Sequence, residues 1–171
     1  MDFKMIVTYV FIDIFCIIMA AVMGININSD FGSEFEVKAL RKAMISYCGF
    51  LVSGLVWLLT QNGYLIYNVA VLWIANCLSL MLMSLSAFYW FVFAVTKLSG
   101  RSAFSNKKIY QVALMPIYLS ALIYVLSPVT GWAFTITRDG QYNRGPLFVY
   151  VSSVSYFYDF LVLGNSIYYG I

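Results

Sequence analysis

The sequence predicts an all-α fold, a polytopic transmembrane helix bundle of about five spans. Hydrophobic residues make up 63% of the 171 residues and charged residues only 10%. A soluble domain is typically about half apolar and about a quarter charged. The core of a soluble domain of 171 residues cannot bury so many apolar side chains. Lipid must therefore solvate many of them. We expect one domain, covering residues 1–171, with a small extracytoplasmic hairpin between the fourth and fifth spans.

Five apolar stretches are each long enough to cross the hydrocarbon core of a bilayer as a helix, which takes roughly 17–25 residues. Their ranges are 5–25, 43–59, 69–95, 110–126 and 147–167. Pro116 lies within the fourth stretch, where a proline kinks a helix and frees a carbonyl group. Ser127 and Pro128 follow that stretch and predict its end.

Polar connectors separate these stretches. Ser33 and Glu36 have the spacing of a capping box, in which the serine hydroxyl accepts a backbone N–H and the glutamate reaches back. Residues 61–63 read Gln-Asn-Gly and predict a short turn, after which the third helix runs antiparallel to the second. A second basic connector covers residues 97–108.

The positions of the basic residues predict the orientation. With the N-terminus outside, the two inner connectors hold seven basic residues: Lys38, Arg41, Lys42, Lys97, Arg101, Lys107 and Lys108. The outer segments then hold three, which are Lys4, Arg138 and Arg144. Cytoplasmic loops carry the excess of Lys and Arg, so this bias favours an outside N-terminus and a cytoplasmic C-terminus. The reverse orientation stays open as an alternative.

Several kinds of chemistry are excluded by composition. The chain has no His, which removes imidazole bases, Ser-His triads and His-based zinc sites. Cys16, Cys48 and Cys77 lie in separate apolar stretches, as expected of small buried residues. The sequence has no P-loop, no dinucleotide-binding glycine motif and no cluster of metal ligands. We therefore expect no enzymatic activity in this chain, no cofactor, no metal and no nucleic-acid partner.

The polar segment after the fourth stretch holds the strongest local motif. Asp139-Gly140 lies between alternating residues and predicts a two-residue hairpin turn, because Gly accepts positive φ. Pro146 predicts the first turn of the next helix, where its missing N–H costs little. This segment is either a well-built corner or a ligand-binding lip. As a lip, its binding residues would be Trp132, Tyr142, Arg144, Gly145 and Pro146.

A small extracytoplasmic ligand is the partner that such a lip would bind. The guanidinium of Arg144 can hold a carboxylate or a phosphate through two parallel hydrogen bonds. Trp132, Tyr142 and Tyr150 could form an aromatic cage beside it.

Two acidic residues, Asp13 and Asp159, lie within apolar stretches. An intramembrane carboxylate is costly and is a functional hypothesis by default. The sequence places no Lys or Arg at a similar depth. Each carboxyl group could serve as a polar packing contact between helices or take part in proton or cation transfer.

The motif Tyr142-x-Arg144-Gly145-Pro146 also carries a resemblance to a known family. With Phe134, Ile136, Leu147 and Tyr156 or Tyr158, it resembles the N-terminal membrane-sensor region of bacterial GGDEF (diguanylate cyclase) signalling proteins. The chain is also similar to the seven-helix N-terminal region of some histidine kinases. It departs from the pattern at Gly54, Thr137 and Gly140.

The resemblance implies a sensory module in the bacterial cytoplasmic membrane, coupled to cyclic di-GMP synthesis. The chain would then be the first five helices of a sensor, truncated before two further helices and a cytoplasmic output domain, which could form a homodimer. Two other readings stay open. One is a small transporter or channel subunit that uses Asp13 and Asp159, and the other is a membrane scaffold for a partner protein.

Overall fold

A computed structural model describes residues 3–27, 32–99, 104, 106–137 and 140–169, except for the side chain at position 99. The described residues form five helices, which are α1 (Phe3–Asn26), α2 (Glu34–Gln61), α3 (Val69–Ser99), α4 (Lys107–Thr130) and α5 (Phe148–Tyr168). Two short strands, β1 (Phe134–Ile136) and β2 (Tyr142–Arg144), lie between α4 and α5. They pair antiparallel. Arg101, Arg138 and Asp139, on which parts of the orientation and turn predictions depend, lie outside the described residues.

By length and composition, four of the described helices can cross a membrane, namely α1 to α4. The expected count of five spans is therefore not confirmed. Helix α5 has 21 residues, but its Tyr, Ser, Asp and Asn residues lower its hydropathy. Large apolar side chains are widely exposed on the helices, for example Phe11 at 76% and Phe160 at 71%. This is the surface of a multi-pass membrane protein, in which lipid covers the apolar side chains.

The beginning of α2 confirms the predicted capping box. The backbone N–H of Glu36 donates to the Ser33 hydroxyl at 3.4 Å, and the N–H of Ser33 donates to a Glu36 carboxylate oxygen at 3.1 Å. These two bonds satisfy N–H groups that have no partner within the helix. Helix α2 therefore begins nine residues before the expected span at position 43.

The predicted end of α4 is wrong, because the helix continues through Pro128 to Thr130. A proline within a helix leaves the carbonyl four residues earlier without its N–H partner. That carbonyl belongs to Tyr124, and it accepts instead from the Cys77 thiol of α3 at 3.4 Å. Gly131 is the C-cap that follows α4, and its φ of 66° lies in the left-handed region that glycine adopts readily.

Helix α3 is the centre of the bundle, with α2, α4 and α5 packed around it and α1 packed on α2. One buried cluster joins Phe88 and Phe91 of α3 to Tyr158 of α5, with ring centroids 5.4 and 5.7 Å from that of Tyr158. The Tyr158 hydroxyl donates to the carbonyl oxygen of Ala113 at 2.6 Å, close to Pro116 in α4. A second buried cluster lies beneath the strands.

Two contacts show which connections share one end of the bundle. The rings of Phe3 and Tyr64 lie 6.3 Å apart, and the Tyr67 ring lies directly against Gly140. The start of α1, the α2–α3 connection and the strands therefore lie at the same end, called here the strand side. At the opposite end, called the connector side, Lys97 at the end of α3 lies 3.7 Å from Glu36 at the start of α2.

Candidate functional site

The register of the two strands decides which predicted lip residues share a face. Phe134 pairs with Arg144, Thr135 with Asn143 and Ile136 with Tyr142. Along β1 the side chains of Phe134 and Ile136 are buried, whereas Thr135 is exposed. Since side chains alternate across a strand, Tyr142 and Arg144 lie on the same face as the buried residues of β1.

The ring of Tyr142 fills the space between the strands and the helices. It stacks on Phe134 with a centroid distance of 5.6 Å and an interplanar angle of 23°. It also meets the rings of Trp57 in α2 and Phe148 in α5 edge-on, at 6.2 and 6.4 Å. Aromatic pairs at such distances add stability beyond the burial of their area. Tyr142 therefore anchors the strands to the bundle.

Polar groups of α3 and α4 lie near the Tyr142 hydroxyl. Burial raises the pKa of Tyr142, and the nearby Asn76 amide and the charge of Arg144 offset part of that rise. The Tyr124 hydroxyl of α4 also lies close enough to interact electrostatically with Tyr142. Within the described part of the chain, neither Asn76 Nδ2 nor the Tyr124 hydroxyl has a partner at hydrogen-bond distance. The Asn76 amide is thus near Tyr142 but beyond a well-formed hydrogen bond.

Arg144 has an exposed side chain beside this anchor. Its guanidinium carbon lies 4.8 Å from the centroid of the Phe148 ring, a cation–π arrangement. No carboxylate among the described residues forms an ion pair with Arg144. The guanidinium N–H groups can therefore meet an external anion.

Gly145 has a structural role that the sequence motif does not reveal. Its N–H donates to the carbonyl oxygen of Ala133 at 2.7 Å. A Cβ atom at this position would overlap the backbone carbonyl groups of Gly131 and Trp132. The close approach of the two backbone segments requires glycine here.

Pro146 and Trp132 lie at the edge of the site. Pro146 is exposed in a turn, and α5 begins only at Phe148 with Leu147 as its N-cap. The prediction that Pro146 starts the helix is wrong, because the N–H of Leu147 instead bonds the carbonyl of Trp132 at 2.8 Å and holds this segment against the end of α4. The Trp132 side chain is 44% exposed.

The five predicted lip residues therefore divide into two groups. Trp132, Arg144 and Pro146 are accessible, whereas Tyr142 and Gly145 are partly buried. No ring contact joins Trp132, Tyr142 and Tyr150 in the described structure, so it does not form the aromatic cage.

Asp13 and Asp159 lie near a common tyrosine. Asp159 of α5 and Tyr47 of α2 line one groove of about 320 Å³, which Ser86 and Trp90 of α3 also line. Asp13 of α1 interacts electrostatically with the same Tyr47. Neither acid forms an ion pair with a described basic residue.

Sequence reasoning missed Tyr47 and Tyr124 as members of these polar groups. A hydroxyl-bearing residue in the middle of an apolar stretch is a usable signal, because a buried hydroxyl needs a partner. Tyr124 carries a second signal, since it lies four residues before Pro128 and its carbonyl is freed.

Comparison of the chain with protein-family models, with curated proteins and with solved structures found no match. The resemblance to bacterial sensor regions therefore stays a prediction from the sequence motif.

Proposed function

We propose that this chain is a sensory module of a bacterial membrane signalling protein. The observation that carries the proposal is the position of Tyr142. Tyr142 of β2 contacts Trp57 of α2 and lies beside Asn76 of α3 and Tyr124 of α4. A movement of β2 that displaces Tyr142 would therefore change contacts with three helices, α2, α3 and α4.

Arg144 and Trp132 form the accessible part of the proposed binding site. Arg144 has no carboxylate partner among the described residues, which suits an anionic ligand such as a carboxylate or a phosphate ester. Binding shifts a conformational equilibrium only when the ligand has different affinities for the two states. The ligand would favour the state in which Arg144 leaves the Phe148 ring, and β2 would move Tyr142 with it.

The proposed setting follows the charge distribution and the resemblance. The strand side would face outward from the bacterial cytoplasmic membrane, α5 would act as a fifth span, and the connector side would be cytoplasmic. Two further helices and a diguanylate cyclase domain, both outside this sequence, would follow in the parent protein. Such an output domain could bring two copies together.

Binding is tested with succinate and glycerol 3-phosphate as carboxylate and phosphate probes. We expect at least one probe to raise the Tm of the protein in lipid nanodiscs and to lose this effect in Arg144→Gln. Lys4→Gln removes a charge from the same side and is the matched control. If neither probe raises the Tm, or if both variants lose the effect equally, the site at Arg144 is wrong.

Transmission is tested separately by hydrogen exchange. The effective probe should change exchange around Trp57 in α2 and Tyr124 in α4, not only in the strands. Tyr142→Leu should keep probe binding and lose the change in the helices. Exchange that changes only in the strands of the unmodified protein would contradict the sensory mechanism while leaving the binding site intact.

A small transporter or channel subunit is the second candidate. It is favoured by the position of Tyr47 near Asp13 and in the same groove as Asp159. This function predicts proton or cation flux into liposomes that contain the purified protein, with loss of flux in Asp13→Asn and Asp159→Asn. Flux no greater than that of empty liposomes would exclude it.

A further inference from the structure

A groove of about 480 Å³ lies between α1 and α2, far from the strands. Its α1 wall includes Ala20, Ala21 and Gly24, and Cys48 of α2 lines it at the other end from Arg41. The small side chains of α1 leave room between the helices, as glycine and alanine do at helix contacts in membranes. A Cβ atom on Gly24 would lie 3.5 Å from the Cβ atom of Met44, which shows how closely the two helices approach beside the groove.

Arg41 gives this apolar groove one charged end. Its Nη2 atom donates to the carbonyl oxygen of Ile27 at 3.1 Å, which fixes the guanidinium next to the end of α1. No described carboxylate forms an ion pair with Arg41. Arginine has five N–H donors, so further donors can bind an anion.

The neighbouring lysines are engaged elsewhere. Lys38 forms an ion pair with Glu34 at 2.6 Å, and the Lys42 ammonium lies 5.5 Å from the centroid of the Tyr89 ring. Arg41 is therefore the basic residue that α2 directs to the groove, while the two lysines add positive potential at the connector side.

The spacing of the groove residues along α2 fits an amphipathic ligand that lies parallel to the helix. Arg41 is seven residues from the start of α2, and Cys48 is seven residues further on. At about 1.5 Å per residue, the groove thus extends roughly 10 Å deeper along α2 from the guanidinium. A free anion would leave the apolar part unfilled, and a purely apolar molecule would leave the guanidinium unused.

We propose that the α1–α2 groove binds one anionic phospholipid. Its phosphate accepts hydrogen bonds from Arg41, and one acyl chain lies along Ala20, Ala21 and Gly24. The site is at the opposite end of the molecule from Arg144 and does not depend on the sensory function.

Native mass spectrometry of the detergent-solubilised protein tests this proposal with phosphatidylglycerol and phosphatidylcholine. We expect the protein to retain one phosphatidylglycerol molecule in preference to phosphatidylcholine. Arg41→Gln should weaken this binding roughly tenfold, as expected for a charge-assisted hydrogen bond. Lys107→Gln, which removes a charge from the same side outside the groove, should leave it within about twofold, since a distant exposed charge contributes little.

A second pair of variants tests the acyl chain and does not touch the charge. Ala21→Phe places a ring in the groove and should weaken phosphatidylglycerol binding by a similar factor. Val22→Phe adds the same ring at the next position, which does not line the groove, and should leave binding unchanged. If Arg41→Gln fails to fold, the difference in phosphatidylglycerol binding between Ala21→Phe and Val22→Phe still tests the proposed site. Glycerol 3-phosphate in excess should not displace the lipid.

Three results would overturn the proposal. One is equal binding of the two lipids. Another is a loss in Lys107→Gln as large as that in Arg41→Gln, which would indicate a general charge effect. The third is displacement of the lipid by glycerol 3-phosphate, which would indicate a site for free anions.

Discussion

The Cys77 thiol of α3 donates a hydrogen bond to the backbone carbonyl oxygen of Tyr124 in α4, with a sulfur–oxygen distance of 3.4 Å. The carbonyl is free because Pro128 has no N–H to offer it. The thiol thus gives the Tyr124 carbonyl a hydrogen-bond partner in an apolar environment, where an unpaired carbonyl is costly. The same bond joins α3 and α4 beneath the strands.

Replacing Cys77 tests this bond. We expect Cys77→Ala to lower the free energy of unfolding by about 1 kcal/mol, because a polar contact between membrane helices and some packing volume are lost. Cys77→Ser keeps a donor and should lose less. Unfolding in increasing SDS, followed by circular dichroism, measures both. Cys16→Ala is the control, and an equal loss there would contradict the assignment.

Tyr142 is predicted to stabilise the molecule through its ring and not through its hydroxyl. Tyr142→Ala removes the contacts with Phe134 and Trp57 and should cost about 3 kcal/mol of unfolding free energy. Tyr142→Phe keeps those contacts and should cost less than about 1 kcal/mol. Tryptophan fluorescence during unfolding reports both values. A loss in Tyr142→Phe equal to that in Tyr142→Ala would show that the hydroxyl dominates.

The raised pKa of Tyr142 predicts a loss of stability in alkaline solution. Burial raises this pKa above the ordinary value of 10.0, so the folded state favours the neutral hydroxyl. The corresponding stabilisation is complete below pH 10.0 and is lost as the pH rises through the pKa of the folded state. The unfolding free energy of the natural protein minus that of Tyr142→Phe should therefore be constant from about pH 7 to about pH 9 and fall above it. The other tyrosines are common to both proteins. A difference that stays constant to about pH 12 would show that Tyr142 is not buried as described.

Gly145 and Gly164 give opposite predictions for the same substitution. Gly145→Ala forces a Cβ atom into two backbone carbonyl groups and should cost about 3 kcal/mol or more. No atom lies within 4 Å of a Cβ atom built on Gly164 in α5. Gly164→Ala should therefore add up to about 1 kcal/mol, the difference in helix propensity. Thermal unfolding without any added ligand measures both. An unchanged Tm in Gly145→Ala would contradict this steric role of Gly145. A role in ligand binding would then remain as the explanation for a glycine at this position.

Much of the fold could be predicted because hydrophobic length and capping are local properties. The apolar stretch beginning at Val69 and the capping box at Ser33 both appear in the structure at the expected residues. The end of α4 could not be predicted from Pro128 alone. Whether the helix continues past Pro128 depends on Cys77 of α3, which bonds the carbonyl that the proline leaves without a partner. A rule based on proline in the sequence does not include a partner from another helix.

The candidate site was predictable only in part, for a similar reason. The motif around Arg144 indicates a polar corner, but it does not say which of its side chains turn inward. That depends on the register with β1 and on Trp57, Asn76 and Tyr124, which belong to three different helices. The nearness of Asp13 and Tyr47 likewise depends on which helices become neighbours.

The attachment of α5 to α3 has a consequence for biogenesis. By length and composition, α5 is not among the described helices that can cross a membrane, and Tyr158 holds it against Phe88 and Phe91 of α3. During translation α3 leaves the ribosome well before α5 does. The aromatic surface of α3 is thus already made when α5 emerges, and packing of Tyr158 on that surface brings α5 into place.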